Sequence, residues 1–262
     1  MSDLPAVLIT GASSGIGATY ADRFARRGHD LVIVARDKAR LDALAERLRS
    51  ETGVAIDVIQ ADLTDGADLA VVEARLRDDD RIGVLVNNAG LSFAGRFEKQ
   101  AASDIAQLLA VNTTAVLRLA HAVSPRFVET GQGAIINVGS AVSLIPEFGQ
   151  TVYGATKAFV LYLSQGLAFE LGPKGVYVQA VLPAATCTEI WTRAGADRSQ
   201  LPPMMEVGEM VDAAFVGFDR REGVTIPPLH DASHWDAFQA ARHQMLPGFG
   251  QTTAAPRYKT AS

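Results

Sequence analysis

AVLITGASSGIGATY, residues 6–20, changes character twice within fifteen residues. Ala6–Thr10 is a short apolar run of the kind that fills a buried strand. Gly11, Gly15 and Gly17 follow at once, with the spacing G-x3-G-x-G rather than the more familiar G-x-G-x-x-G. A helix-forming segment then begins. Glycines here let the backbone turn tightly and admit a ligand without Cβ clashes. A helix N-terminus directly after a strand presents N–H groups and partial positive charge, which suits a pyrophosphate. An ordinary glycine-rich turn would look similar, so the rest of the chain has to choose between the two.

The rest of the chain repeats the same alternation. Short β-branched runs lie at 31–35, 54–60, 82–87, 134–140, 176–182 and, more briefly, 223–227. Segments with helical spacing separate them, such as Leu41, Leu44, Ala45 and Leu48. Buried strands alternating with helices predict a parallel sheet covered on both faces. The expectation is an α/β fold: a single-domain, Rossmann-type three-layer sandwich with about seven strands, over residues 1–246. Residues 184–210 contain Pro202, Pro203 and paired methionines and read as a substrate lid. Residues 247–262 are polar and broken by glycine and proline; they read as a mobile tail or an arm across a neighbouring subunit.

Composition narrows the function. Net charge is −5 with scattered basic residues, which argues against a nucleic-acid partner or a polybasic membrane surface. No apolar run approaches the ~18 residues of a membrane span. The start of the chain has only about five consecutive apolar residues and no basic leader, so it reads as a first strand, not a signal peptide. A single cysteine, Cys187, excludes an internal disulfide and suits a reducing, cytoplasmic compartment.

Several polar residues stand where chemistry could use them. The second strand ends at Ala35 and is followed by Arg36, where dinucleotide-binding folds place either an acid for the ribose 2′-hydroxyl or an arginine for a 2′-phosphate. Asp37 comes one residue later and is expected to point elsewhere. The arginine predicts NADP(H) over NAD(H). Asn112 lies on an otherwise apolar helical face between Leu108 and Val116, and needs either structural partners or a functional reason. Asn87 and Asn88 follow a strand and can brace adjacent turns. In TVYGATKAFV (151–160), four helical steps bring Lys157 to within about 40° of Tyr153. An ammonium beside a phenol favours the phenolate. Ser140 ends the predicted strand 134–140, and C-terminal strand ends line the ligand crevice of parallel sheets. Each residue alone has a bland reading: a turn serine, a surface pair, a braced amide.

Taken together, TGASSGIG (10–17), ADL (61–63), NNAG (87–90), Asn112, Ser140 and YGATK (153–157) resemble the short-chain dehydrogenase/reductase family, in order and interval, over about residues 5–230. The resemblance implies that Tyr153 is the acid/base and that Ser140 holds the reacting oxygen. It implies that Lys157 lowers the tyrosine pKa and binds the nicotinamide ribose, and that Asn112 holds a water in a proton relay. Gly11, Ser13, Ser14, Gly15, Ile16 and Gly17 would contact the cofactor, with Asp62 and Leu63 at the adenine end. Asn88, Ala89 and Gly90 would pack by the adenosine ribose. Pro183, Thr186 and Thr188 would lie at the nicotinamide end. The family's usual Pro-Gly pair is Pro183-Ala184 here, and the glycine loop lacks the basic residue some NADP-using relatives carry. Arg36 is left as the main 2′-phosphate contact.

The expected activity is NADP(H)-dependent interconversion of a small-molecule carbonyl and a secondary alcohol. The alternative is a non-catalytic NADPH-binding sensor or scaffold, which would not need the Ser–Tyr–Lys set. A sugar epimerase or dehydratase would call for a larger C-terminal domain. His230 and His234 have a helical metal spacing, but Asp231 reads as a helix cap and no metal is expected. Met204, Met205, Leu201 and Trp191 either line an apolar pocket or pack the lid onto the body. Apolar residues beyond one face of 103–129 and 152–171, helices that form subunit contacts in the family, predict a homodimer or homotetramer.

Overall fold

The computed structural model describes residues 4–93, 95–193 and 203–259. The chain divides into two compact units, residues 1–227 and 228–262. The expected start of the tail at 247 falls inside the second unit.

The first unit holds a seven-stranded sheet. Its strands are β1 (Ala6–Thr10), β2 (Leu31–Ala35), β3 (Ile56–Gln60), β4 (Ile82–Asn87), β5 (Gly133–Val138), β6 (Val176–Val181) and β7 (Val224–Thr225). The order is β3-β2-β1-β4-β5-β6-β7, and every neighbouring pair is parallel. Chain order reverses between β1 and β4, so the C-terminal ends of these two strands open a crevice. Strand alternation then sorts the apolar residues. Val7, Ile9, Leu31 and Ile33 pack on one side with Tyr20, Phe24, Leu41 and Phe215. These come from α1 (Gly15–Arg26), α2 (Lys38–Thr52) and α8 (Val207–Asp219). Ala6, Leu8, Val32 and Val34 pack on the other side with Leu69, Val72, Leu119 and Val123. These last four lie on α3 (Gly66–Asp78) and α5 (Val116–Thr130).

Four strands differ from the sequence reading in their limits; β6, for one, ends at Val181 rather than Leu182. β3 begins at Ile56 rather than Val54, and β7 keeps only two residues. β5 stops at Val138, short of Ser140. There Gly139 N–H donates to Val181 O (2.7 Å) and Ala141 N–H to Pro183 O (2.8 Å). The chain still follows β6, but Ser140 already heads a short 3₁₀ turn, Ala141–Ser143. The segment 103–124 is not one regular helix either. α4 (Ala102–Leu109) runs into a π turn at Ala110–Ala115 before α5 begins. Such wide turns leave a residue out of the ordinary helical ladder and occur often at functional sites. Asn112 sits inside this one.

The second unit contains α9 (Ser233–Gln244) and two short 3₁₀ turns. No described residue of α9 is buried, and Trp235 stacks on Phe238 with ring centres 5.5 Å apart.

Candidate active site

The glycine turn is built against the end of β4. Thr10 Oγ1 donates to Val86 O (3.3 Å) and accepts from the backbone N–H groups of Asn88 (3.0 Å) and Ala89 (3.1 Å). Asn88 Nδ2 donates back to Thr10 O (2.9 Å) and Gly11 O (3.2 Å). Asn88 is therefore a brace of the turn. Gly11 has φ +67°, and a Cβ there would lie 2.8 Å from Ala89 Cα. A Cβ on Gly17 would collide with Gly11 O and Asn88 Nδ2. These two glycines are thus required by the chain's own packing, before any ligand is considered. Gly15 also has positive φ, +52°, and sits beneath Thr188. The first turn of α1 carries no acidic residue, so nothing there repels an anion from its N-terminus. Ser13, Ser14 and Ile16 are half-buried around it.

At the end of β2 the Arg36 side chain is 57% exposed, and its nearest carboxylate, Asp62, is 3.9 Å away. Asp37 caps α2 instead, accepting from Arg40 N–H at 3.1 Å. Arg40 is spent on Glu189 at 2.7 Å. Burial tends to raise the Asp62 carboxyl, but hydrogen bonds from Thr64 and the charge of Arg36 hold it below its ordinary range. Leu63 is buried in the core beside it. A guanidinium this open, next to an uncrowded helix N-terminus, fits a phosphorylated dinucleotide.

The polar residues of the central helices converge at the ends of β4 and β5. Asn112 is 0% exposed. Its Oδ1 accepts from Leu91 N–H (2.8 Å), while Nδ2 donates to Leu91 O (2.9 Å) and Thr156 Oγ1 (3.2 Å). The side chain thus clamps the segment following Gly90 to α6 (Thr151–Leu171). Lys157, only 5% exposed, donates to Val138 O at 2.9 Å. Its Nζ lies 5.7 Å from the Tyr153 ring centre, and a Cβ on Gly90 would sit 3.5 Å from it. Ser140 Oγ donates to Pro183 O (3.3 Å) and accepts from Val142 N–H (3.4 Å).

Two buried ionisable groups oppose each other here. Loss of hydration pushes the Tyr153 phenol up to about 12, against a hydrogen bond with Ser140 that lowers it. Loss of hydration pushes Lys157 down to about 8, so it remains mostly an ammonium at neutral pH. In the protein by itself, burial outweighs the help expected for the phenolate. A second positive charge, such as an oxidised nicotinamide, acts in the missing direction.

After β6 the chain bends over the same end. Pro183 O receives Ser140, and Thr186 is buried with its hydroxyl on Ala184 O (3.1 Å). Ala184 keeps negative φ; Arg221 is the only non-glycine residue with positive φ among those described. Thr186 pairs with Met205 in a parallel bridge, and Met205 packs on the core, which favours its packing reading. Trp191, on the short α7 (Ile190–Arg193), donates from Nε1 to Thr186 O at 2.8 Å. Leu201 and Pro202 lie outside the described residues.

Sequence reasoning missed the residues that hold others in place. Thr10 and Thr156 look like routine strand and helix threonines, and Leu91 contributes only backbone. Asn137 carried a signal: an amide inside an apolar strand, as telling as Asn112 on its helix.

The model of the short chain dehydrogenase family matches residues 5–199. The chain belongs to this family. Among solved structures, a short-chain dehydrogenase from Sphingobium yanoikuyae in complex with NADPH is 66% identical, with TM-score 0.96 over 98% of this chain and 100% of that one. A bulky-bulky ketone specific alcohol dehydrogenase from Comamonas testosteroni is 59% identical, with TM-score 0.92 over 99% and 100%. Sulfoacetaldehyde reductase of Chromohalobacter salexigens is 38% identical over 74% of this chain and 77% of its own length. Against Hydroxysteroid dehydrogenase-like protein 1 of Gallus gallus, 32% identical, the match spans only 61% of that relative's length. In this short-chain dehydrogenase the Ser140, Tyr153 and Lys157 side chains gather at the C-terminal strand ends, the sheet edge where parallel α/β folds take ligands.

Proposed function

We propose that the chain is an NADP(H)-dependent oxidoreductase that interconverts a bulky ketone and its secondary alcohol, with Tyr153 as proton donor and acceptor. The observation that carries this reading is the buried Lys157 ammonium held 5.7 Å from the Tyr153 ring. A desolvated lysine beside a phenol at a sheet's ligand edge is costly, and perturbed groups of this kind concentrate at reactive sites. The NADPH of the Sphingobium relative and the exposed Arg36 support the cofactor assignment. The Comamonas relative's stated preference supports the substrate class.

The bound cofactor supplies or accepts a hydride at its nicotinamide ring. The protein's residues do the rest. Ser140 turns its hydroxyl from Pro183 O to the substrate oxygen and fixes the carbonyl. Tyr153 gives its proton to that oxygen during reduction and takes it back during oxidation. Lys157 stabilises the phenolate left behind and holds the ribose. Asn112 keeps Leu91 and Thr156 in place around them, so that the water of the expected relay would depend on its backbone within the π turn. The glycine turn, with Ser13, Ser14 and Ile16, receives the pyrophosphate; Asp62, Leu63, Asn88, Ala89 and Gly90 frame the adenosine; Pro183, Thr186 and Thr188 close on the nicotinamide.

Tyr153→Phe is expected to lower turnover of a bulky aryl ketone by at least about a thousandfold, within the range of lost acid–base catalysis and orientation. NADPH affinity should stay within a few-fold of the parent. Near-normal turnover would refute the assignment. A parent protein that binds NADPH yet turns over no carbonyl in a diverse panel would favour a sensor.

Exposed Leu109 and Leu117 with Phe159, Tyr162 and Phe169 of α6 support a homodimer or homotetramer. Light scattering that finds only a monomer would contradict it. Among the described residues no helix is long and apolar enough to cross a membrane. The lone Cys187 is consistent with a cytoplasmic location, which recovery of the chain in an oxidising compartment would overturn.

A further inference from the structure

Three buried polar side chains form a line from the sheet into α6. Asn87 and Asn137 are direct partners in the β4–β5 register. Asn87 Nδ2 donates to Asn137 Oδ1 at 3.0 Å and to Val116 O at 3.4 Å. Asn137 Nδ2 donates to Ser164 Oγ at 3.0 Å, and Ser164 in turn donates to Val160 O at 2.7 Å. Asn137 is 0% exposed and Ser164 1%. Each amide is oriented by its partners: both neighbours of Asn87 Nδ2 are acceptors, which leaves Asn87 Oδ1 without a hydrogen-bond partner.

This line is an expensive way to make a core. An apolar trio of similar size would bury as well and strand no oxygen. What hydrogen bonds add is direction, since they select one rotation and one height where apolar packing tolerates several.

Their placement shows what that direction serves. From Tyr153 to Ser164 is eleven helical steps, and from Lys157 to Ser164 seven; at about 100° per step both return within roughly 20°. Tyr153, Lys157 and Ser164 therefore share one stripe of α6, with Ser164 about 10 Å beyond Lys157. On the strand side, Asn137 directly precedes Val138, whose carbonyl receives Lys157, and the same strand leads to Ser140. The helix is thus bonded to β5 at two heights. We propose that the Asn137–Ser164 hydrogen bond, steadied by Asn87, is a positioning device that fixes α6 on β5 and so sets Tyr153 and Lys157 against Ser140. Val160 and Leu161 of the same helix are buried as well, but apolar side chains carry no such direction. The inference rests on the acid/base role given to Tyr153.

The test compares the full-length parent with Ser164→Ala, Ser164→Cys and the double variant Asn137→Leu/Ser164→Ala. Parent turnover of a bulky ketone is measured first; absence of turnover with intact NADPH binding overturns the acid/base reading and this inference with it. With an active parent, Ser164→Ala should lose about tenfold or more in kcat, since small displacements of reacting groups cost that much. The NADPH dissociation constant, read by fluorescence, should stay within about twofold. For alcohol oxidation the acidic limb of the pH–rate profile should move to higher pH, because a displaced lysine assists the phenolate less. The double variant removes the amide that Ser164→Ala strands but leaves Asn87 Nδ2 with Val116 O alone, so its thermal midpoint should recover in part while kcat stays low. Ser164→Cys preserves volume and replaces the acceptor with a weak one; should Ser164→Ala fail to fold, it carries the same kinetic prediction. The proposal is overturned if the single variants keep the parental kcat and pH profile, whatever their melting point. It is equally overturned if the double variant regains kcat together with stability.

Discussion

Lys157→Met isolates the electrostatic part of the proposed chemistry. Methionine keeps most of the side-chain volume and removes the charge. Nζ lies 5.7 Å from the Tyr153 ring centre; at an effective dielectric of ~20, two unit charges at that distance interact by about 3 kcal/mol. That corresponds to roughly a hundredfold in the phenolate population at a given pH. Alcohol oxidation needs the phenolate as base, so at neutral pH the variant should be slower by about that factor. The deficit should not be constant. Burial lowers Lys157 to about 8, so the parent itself loses the ammonium above that pH. The variant's phenol, raised by burial and lacking the ammonium beside it, keeps gaining phenolate at pH values where the parent's has saturated. Both effects narrow the gap between pH 6 and pH 10. The assay is NADPH formation at 340 nm with saturating cofactor and alcohol, which removes any weakening of ribose binding from the comparison. A ratio of parent to variant kcat that stays flat across this range would refute the argument. Lys157 would then act by binding alone, and phenol acidity would have to come from elsewhere.

Two further outcomes follow from the cofactor end. Arg36→Leu should weaken NADPH binding by about tenfold to a hundredfold, the worth of charge-assisted hydrogen bonds, and leave NADH within about twofold; equal weakening of both, by fluorescence titration, would remove Arg36 from the 2′-phosphate. Gly17→Ala places a methyl against Gly11 O and Asn88 Nδ2, so it should cost about 1–3 kcal/mol in urea unfolding and raise the NADPH dissociation constant by at least about tenfold. An unchanged constant would mean that the turn can shift without harm.

Much of the fold was legible because it depends on local patterns. Apolar runs such as 6–10 and 31–35 are buried on both faces, so they stand out against amphipathic helices like 38–52. Arg36, Asp37 and the Tyr153–Lys157 pair were legible for the same reason, since strand ends, helix caps and helical stripes follow from near neighbours in sequence. The limits of β5 and the break at 110–115 were not. β5 gives way to the turn headed by Ser140 while the chain is still bonded to Val181 and Pro183, more than forty residues away. The π turn lies where Asn112 is tied to Leu91 and Thr156.

The sequence by itself determined an α/β sheet, a dinucleotide turn and which side chains could do chemistry, because periodicity, glycine and charge act over a few residues. Only the tertiary structure decided why Gly17 must be glycine, where Asn112 spends its amide, and how burial bears on Tyr153 and Lys157. Those depend on which distant atoms share a dry space, and hydration lost through packing is a property of the assembled fold rather than of any segment.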